Sequence, residues 1–203
     1  MKTITFYNYT DLDKETKELV CEKNKNWYTE NDDWYKPACE AFGEMLEDAG
    51  YLEPEIFFKY SCSQGDGAMF EFKNIEFLKI WNQHKYPLSD KLIEAIRNEQ
   101  IVIYMSGKHS GHYYHEYSVT FDFEIYPTQY QDVSKETKLL LEELANYDIE
   151  EIIAYDYRTW CSKIYHDLYH EMEYFQSFEF LDQLFEDNNP SFLFNIEGKM
   201  VSV

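Results

Sequence analysis

The chain has 203 residues and four cysteines, Cys21, Cys39, Cys62 and Cys161, with no Cys-x-x-Cys pair among them. That length is enough for a self-sufficient core, and the cysteine spacing argues for reduced thiols rather than a zinc ribbon or a disulfide framework. Thirty-nine Asp and Glu against eighteen Lys and Arg leave a net charge of −21, which repels a phosphate backbone and favours encounter with basic partners.

In chain order, residues 2–7 (KTITFY) alternate β-branched and aromatic types and predict a short strand. Thr10 and Asp13 have capping-box spacing and open a predicted helix to about residue 26. Pro37 in a first turn and Gly50 as a stop bound a second helix. Strands are predicted over 55–60 and 68–72, joined by Ser63-Gln64-Gly65-Asp66-Gly67. Helices over 75–82 and 89–99 follow, divided by Pro87. Residues 101–106 and 113–126 read as strands separated by GKHSGH. In the second, Tyr117, Val119, Phe121, Phe123 and Ile125 alternate with Ser118, Thr120, Asp122 and Glu124, which predicts one dry face and one wet face.

A helix over 134–147 precedes another capping-box pair, Asp148 and Glu151. Apolar residues then recur at three-and-four spacing from Ile149 to Phe175 and predict one long amphipathic helix. A helix over 177–186 and a hairpin of 192–196 with 200–203 complete the sequence. The order predicts an α+β fold: an antiparallel sheet of about four to six strands covered by helices, with a long amphipathic C-terminal helix. We read residues 1–203 as a single domain with a helical part over 8–50, a sheet core over 54–126, a helical part over 134–188 and a final hairpin over 192–203. Nineteen Tyr, fifteen Phe and four Trp are too many for a solvated acidic tail. MKTITFYNYTDLD has no apolar h-region, so no secretory leader is expected. The longest apolar run, residues 101–105, is too short for a membrane span, and a cytoplasmic location is the expectation.

Few motifs carry chemistry. His166 and His170, four apart with Asp167 beside the first, are similar to the zincin spacing. However, Asp is one methylene shorter than Glu, and no third ligand stands nearby in sequence. His109, His112 and His115 form a second group; on an extended strand His109 and His115 share a face while His112 points away. Neither spacing demands a metal, so no metal and no cofactor are expected. No Gly-x-Gly-x-x-Gly, Walker lysine loop or Gly-x-Ser-x-Gly elbow occurs. With thirty-nine acids, carboxylate pairs arise by accident and identify no acid–base couple. An enzyme is therefore less expected than a binding protein.

The most distinctive stretch is KYSCSQGDGAMFEF, residues 59–72. A hairpin needs only two turn residues, and this one uses about five. Gly65 and Gly67 are read as positive-φ positions. Ser63, Gln64 and Asp66 are read as hydrogen-bonding groups, facing either a ligand or partner or the turn's own backbone.

Ser63-Gln64-Gly65-Asp66-Gly67-Ala68, Phe70 two positions on, and His109-Ser110-Gly111 before an alternating strand resemble an uncharacterised family of small bacteriophage proteins, sometimes labelled antitoxin-like. The resemblance covers roughly residues 30–180. It implies a phage or mobile-element origin and brings no established activity, and His166 and His170 are particular to this sequence. The expectation is a phage-encoded acidic binding protein that inhibits a host nucleic-acid-handling or defence protein, of the anti-CRISPR or anti-restriction type. Its partner is expected to be a basic host protein that itself binds nucleic acid, with no direct nucleic-acid or membrane contact. The alternative is a nucleotide-like ligand, bound or hydrolysed at a composite of Ser63, Gln64, Asp66, His109 and Ser110. That reading needs the two motif-bearing strands to be neighbours, with Asp66 orienting His109 as a general base.

Overall fold

The computed structural model describes residues 4–31, 33–60, 65–84, 86–128, 133–189 and 191–202, which form an α+β fold. β1 (Tyr7–Asn8) and a 3-10 turn (Tyr9–Asp11) lead into α1 (Lys14–Lys23) and α2 (Trp27–Asn31). The cap of α1 is Asp13, whose Oδ1 accepts from the Thr16 amide at 2.8 Å. The expected Thr10 cap is displaced because Thr10 lies inside the 3-10 turn. α3 (Lys36–Ala49) stops at Gly50, where φ is 110° and a Cβ would meet the Glu76 carbonyl and Lys79 Cβ at 3.0 Å.

Four short strands follow: β2 (Tyr51–Leu52), β3 (Glu55–Lys59), β4 (Gly67–Glu71) and β5 (Asn74–Ile75). Next come α4 (Phe77–His84), α5 (Asp90–Arg97), β6 (Ile101–His109) and β7 (Val119–Pro127). The remainder is α6 (Lys135–Leu144), α7 (Ile149–Phe175), α8 (Phe178–Asp187), β8 (Phe192–Phe194) and β9 (Met200–Ser202). Ser89, Ser134 and Ser177 cap α5, α6 and α8, each accepting from the amide three residues on. Among the described residues no helix is long and apolar enough to cross a membrane.

The chain resolves into two compact units. One combines Met1–Lys36 with Asp167–Val203, and the other is Pro37–His166. In the first, antiparallel strands lie in the order β1-β8-β9. Tyr9, Val20, Cys21, Leu181, Phe185 and Phe194 make its core. Phe194 sits edge-on to Tyr9 and Phe185, with ring centroids 5.5 and 5.1 Å away. The fully buried Tyr9 hydroxyl donates to Asp182 Oδ1 at 2.7 Å, so its polar end is satisfied.

In the second unit β3 pairs with β4, and β6 pairs with β7, both antiparallel. Phe72 and Gly107 join the two ladders by exchanging backbone hydrogen bonds of 3.1 and 3.0 Å. A Cβ at residue 107 would lie 2.4 Å from the Phe72 ring, so the join requires glycine. The α7 residues of this unit cover the sheet through Tyr157, whose ring lies 4.5 Å from Phe70 and 5.1 Å from Phe121. Its hydroxyl accepts from the Phe70 amide and donates to the Phe70 carbonyl, at 3.2 and 3.1 Å.

One predicted strand is shorter than expected. β7 begins at Val119, opposite His109, and residues 110–118 form a loop instead. The Ser110 amide donates to the Ser118 carbonyl at 2.7 Å and the Ser118 amide to the His115 carbonyl at 2.8 Å, which closes that loop. Tyr117, expected on the dry face, is 70% exposed, and Ser118, expected on the wet face, is buried. From Thr120 onward the alternation holds, with Thr120, Asp122 and Glu124 exposed.

Candidate functional site

In the Pro37–His166 unit the Gly65–Gly67 turn packs against residues 113–115, just beyond the HSG element. Ser63 and Gln64 lie outside the described residues. Asp66 is half-buried, between two buried glycines. A Cβ on Gly65 would stand 2.2 Å from Tyr113 Cδ1, and one on Gly67 would stand 2.7 Å from the Tyr114 carbonyl oxygen and 2.8 Å from His115 Cβ. The positive φ angles among described glycines fall instead at Gly50, Gly111 and Gly198. The reading of Gly65 and Gly67 as positive-φ positions is thereby corrected: they are glycines because the 113–115 segment lies directly against them.

His109 and Ser110 have structural tasks in the same loop. The His109 amide donates to Glu71 Oε1 at 2.8 Å. Its Nε2 is 3.1 Å from the Tyr113 carbonyl oxygen; a carbonyl only accepts, so Nε2 carries the proton there. The imidazole lies near-parallel to Phe57 with centroids 6.5 Å apart, and 5.1 Å from the Tyr114 ring. Ser110 Oγ accepts from Thr120 Oγ1 at 2.8 Å. The HSG element therefore spends its polar groups on shaping the loop that receives the Gly65–Gly67 turn. His112 is exposed, and His115 Nδ1 accepts from the Tyr117 amide at 3.1 Å. His166 and His170 are both exposed on α7, with His170 Nδ1 3.3 Å from Glu173 Oε2. Among the described residues no group of three His, Cys, Asp or Glu is placed to hold a metal ion.

A buried polar network lies elsewhere in this unit. Asp156, 7% exposed, accepts from the Tyr51 hydroxyl through Oδ2 at 2.9 Å and stands 3.1 Å from His84 Nε2 through Oδ1. Burial raises the Asp156 carboxyl above its ordinary range, and the Tyr51 and His84 contacts draw it back only in part. Burial, with the Asp156 carboxyl beside it, also raises the Tyr51 hydroxyl well above the usual tyrosine range. Sequence reasoning missed this trio. The available signal was an acid at position 156, three after Ile153 and four after Ile152, on the apolar stripe of the long helix. One helical turn on, Cys161 is buried and its thiol is pushed up to about 12, which keeps it protonated and inert.

Glu40, Glu44 and Glu47 are exposed along one face of α3, and no described Lys or Arg stands within ion-pair distance of them. Spaced four and three residues apart, they lie about 6 and about 4.5 Å apart along the helix axis.

A family model described as a domain of unknown function (DUF8835) matches residues 27–177. The chain belongs to this family. The DUF8835 segment takes in the Gly65–Gly67 turn, the 110–118 loop, the Tyr51–Asp156–His84 network and the α3 carboxylates. It leaves out α1, α8, β8 and β9. No curated protein and no solved structure matches the chain.

Proposed function

We propose that this chain is a phage-encoded acidic binding protein that acts in the host cytoplasm and inhibits a nucleic-acid-handling or defence protein of the infected bacterium, in the manner of an anti-CRISPR or anti-restriction inhibitor. The reading rests on the charge of −21 and, above all, on the row of carboxylates on α3 that internal ion pairs do not neutralise. A row of fixed negative charges on a rigid helix offers a basic groove what a phosphate backbone offers it, without the cost of ordering a flexible acidic tail. Direct nucleic-acid binding is disfavoured by the same charge.

The test is affinity purification from host lysate at low and high salt, with identification of the captured protein and a competition assay against its nucleic acid. The expected partner is basic, binds nucleic acid, is released by salt and loses its nucleic-acid complex when this chain is added. The triple change Glu40→Gln, Glu44→Gln, Glu47→Gln is expected to weaken that competition at least tenfold. A partner whose nucleic-acid binding is untouched by the wild-type chain would overturn the reading.

A further inference from the structure

The Lys and Arg of this chain thin out toward its end: after residue 147 only Arg158, Lys163 and Lys199 remain, against twelve carboxylates. Two of those three lie in one open groove on the outer face of α7, together with His166, so the local charge runs against that of the molecule. The groove holds about 800 Å³, within the size range of small-molecule sites. On one side stands Tyr117 from the 110–118 loop, 70% exposed, and on the α7 side Tyr155, 64% exposed.

The cations are held in place. The Arg158 guanidinium carbon sits 5.8 Å from the Tyr117 ring centroid, and its Nη2 pairs with Glu151 at 2.5 Å. Lys163 Nζ lies 5.2 Å from the Trp160 ring and 5.6 Å from the Phe42 ring, so the ammonium rests over aromatic faces with part of its hydration removed. Ser162 and Thr159 add hydroxyls on the same helical face. Thr159 already donates to the Tyr155 carbonyl at 3.0 Å, which leaves its oxygen as an acceptor.

We infer that this groove binds a nucleoside monophosphate. Lys163, His166 and the Ser162 hydroxyl face the phosphate, and the base stacks on the exposed Tyr155 or Tyr117 ring. Arg158 and Lys163 set against Glu151 leave about one net positive charge, which suits a monophosphate. A plain inorganic anion would leave the exposed Tyr155 ring without a ligand contact, and a neutral nucleoside would bring no charge to Lys163. Of the described residues of the expected composite, none of Asp66, His109 and Ser110 lines this groove, and neither do the α3 carboxylates.

The experiment is isothermal titration calorimetry of the intact chain with AMP, with adenosine and with inorganic phosphate. AMP is expected to bind saturably, and the other two at least tenfold more weakly. Lys163→Ala and Tyr155→Ala, both at exposed positions, are each expected to weaken AMP roughly tenfold. Lys163→Arg is expected to retain most of the affinity, and Glu40→Gln on α3 all of it. Near-UV circular dichroism confirms that each variant is folded. No saturable binding of AMP at millimolar concentration would overturn the inference. So would AMP binding unchanged by both alanine variants, or phosphate binding as tightly as AMP.

Discussion

Gly65 and Gly67 flank the same aspartate and fail differently when given a side chain. At Gly65 the obstacle is the Tyr113 ring, a half-exposed side chain; at Gly67 it includes the Tyr114 carbonyl oxygen, which is backbone. Gly65→Ala and Gly67→Ala are each expected to cost about 1–3 kcal/mol of stability in urea denaturation. Adding Tyr113→Ala is expected to recover most of the Gly65→Ala loss and none of the Gly67→Ala loss. Equal recovery in both backgrounds would refute this account of the turn. Asp156 carries the second prediction at this scale. Its folded-state pKa lies above the ordinary value of 3.8, so between those two values the folded state holds more proton than the unfolded one. Its contribution to stability is therefore present below about pH 4 and lost as pH rises through the raised value. Asp156→Asn removes that titration. Urea midpoints across the acid range are expected to show the variant gaining on the wild type as pH rises through this window. The buried thiols supply a third: Cys161 and Cys21, both shifted upward by burial, are expected to resist iodoacetamide in the native protein and to react on unfolding, as read by mass spectrometry.

Single serines fix the starts of α5, α6 and α8, and they are unequal. Ser134 bonds only within its own helix start, to the Thr137 amide and hydroxyl. Ser89 caps α5, and its amide and hydroxyl also donate to the Glu143 carboxylate on α6, at 2.8 and 2.7 Å. Ser134→Ala is expected to cost about 1 kcal/mol, and Ser89→Ala measurably more, in thermal unfolding. A larger loss for Ser134→Ala would contradict that assignment. These helix starts were legible in the sequence because a cap and its amide lie three residues apart. The long α7 was legible because its apolar period extends over seven turns. What escaped was non-local. β2 and β5 are two residues each and exist only by pairing with one another, and β1 is fixed by β8 near the far end of the sequence. Residues 113–117 carry strand-forming types, yet loop hydrogen bonds from Ser110 and Ser118 claim the backbone first. The site followed the same rule. Only the adjacency of the two motif-bearing strands is a condition the sequence reading sets, whereas the Tyr51–Asp156–His84 trio joins residues up to 105 positions apart and leaves only one misplaced acid as its trace.

For the whole molecule, a charge of −21 with few internal cations means that the folded state concentrates like charges. Screening should relieve this, so the melting temperature is expected to rise when salt goes from low millimolar to physiological strength, where the Debye length falls to about 8 Å. Scanning calorimetry checks it, and a fall in melting temperature would argue that the ion pairs dominate instead. The interleaving of the two units has a further effect, on the order of synthesis. Tyr9 hydrogen-bonds Asp182, 173 positions later, and a ribosome adding about 5–20 residues per second needs roughly 9–35 s to cover that interval. Pro37–His166 is synthesised before α8 (Phe178–Asp187) and β8 (Phe192–Phe194). Until then Tyr9, Val20 and Cys21 lack Leu181, Phe185 and Phe194, the late residues with which they share one core.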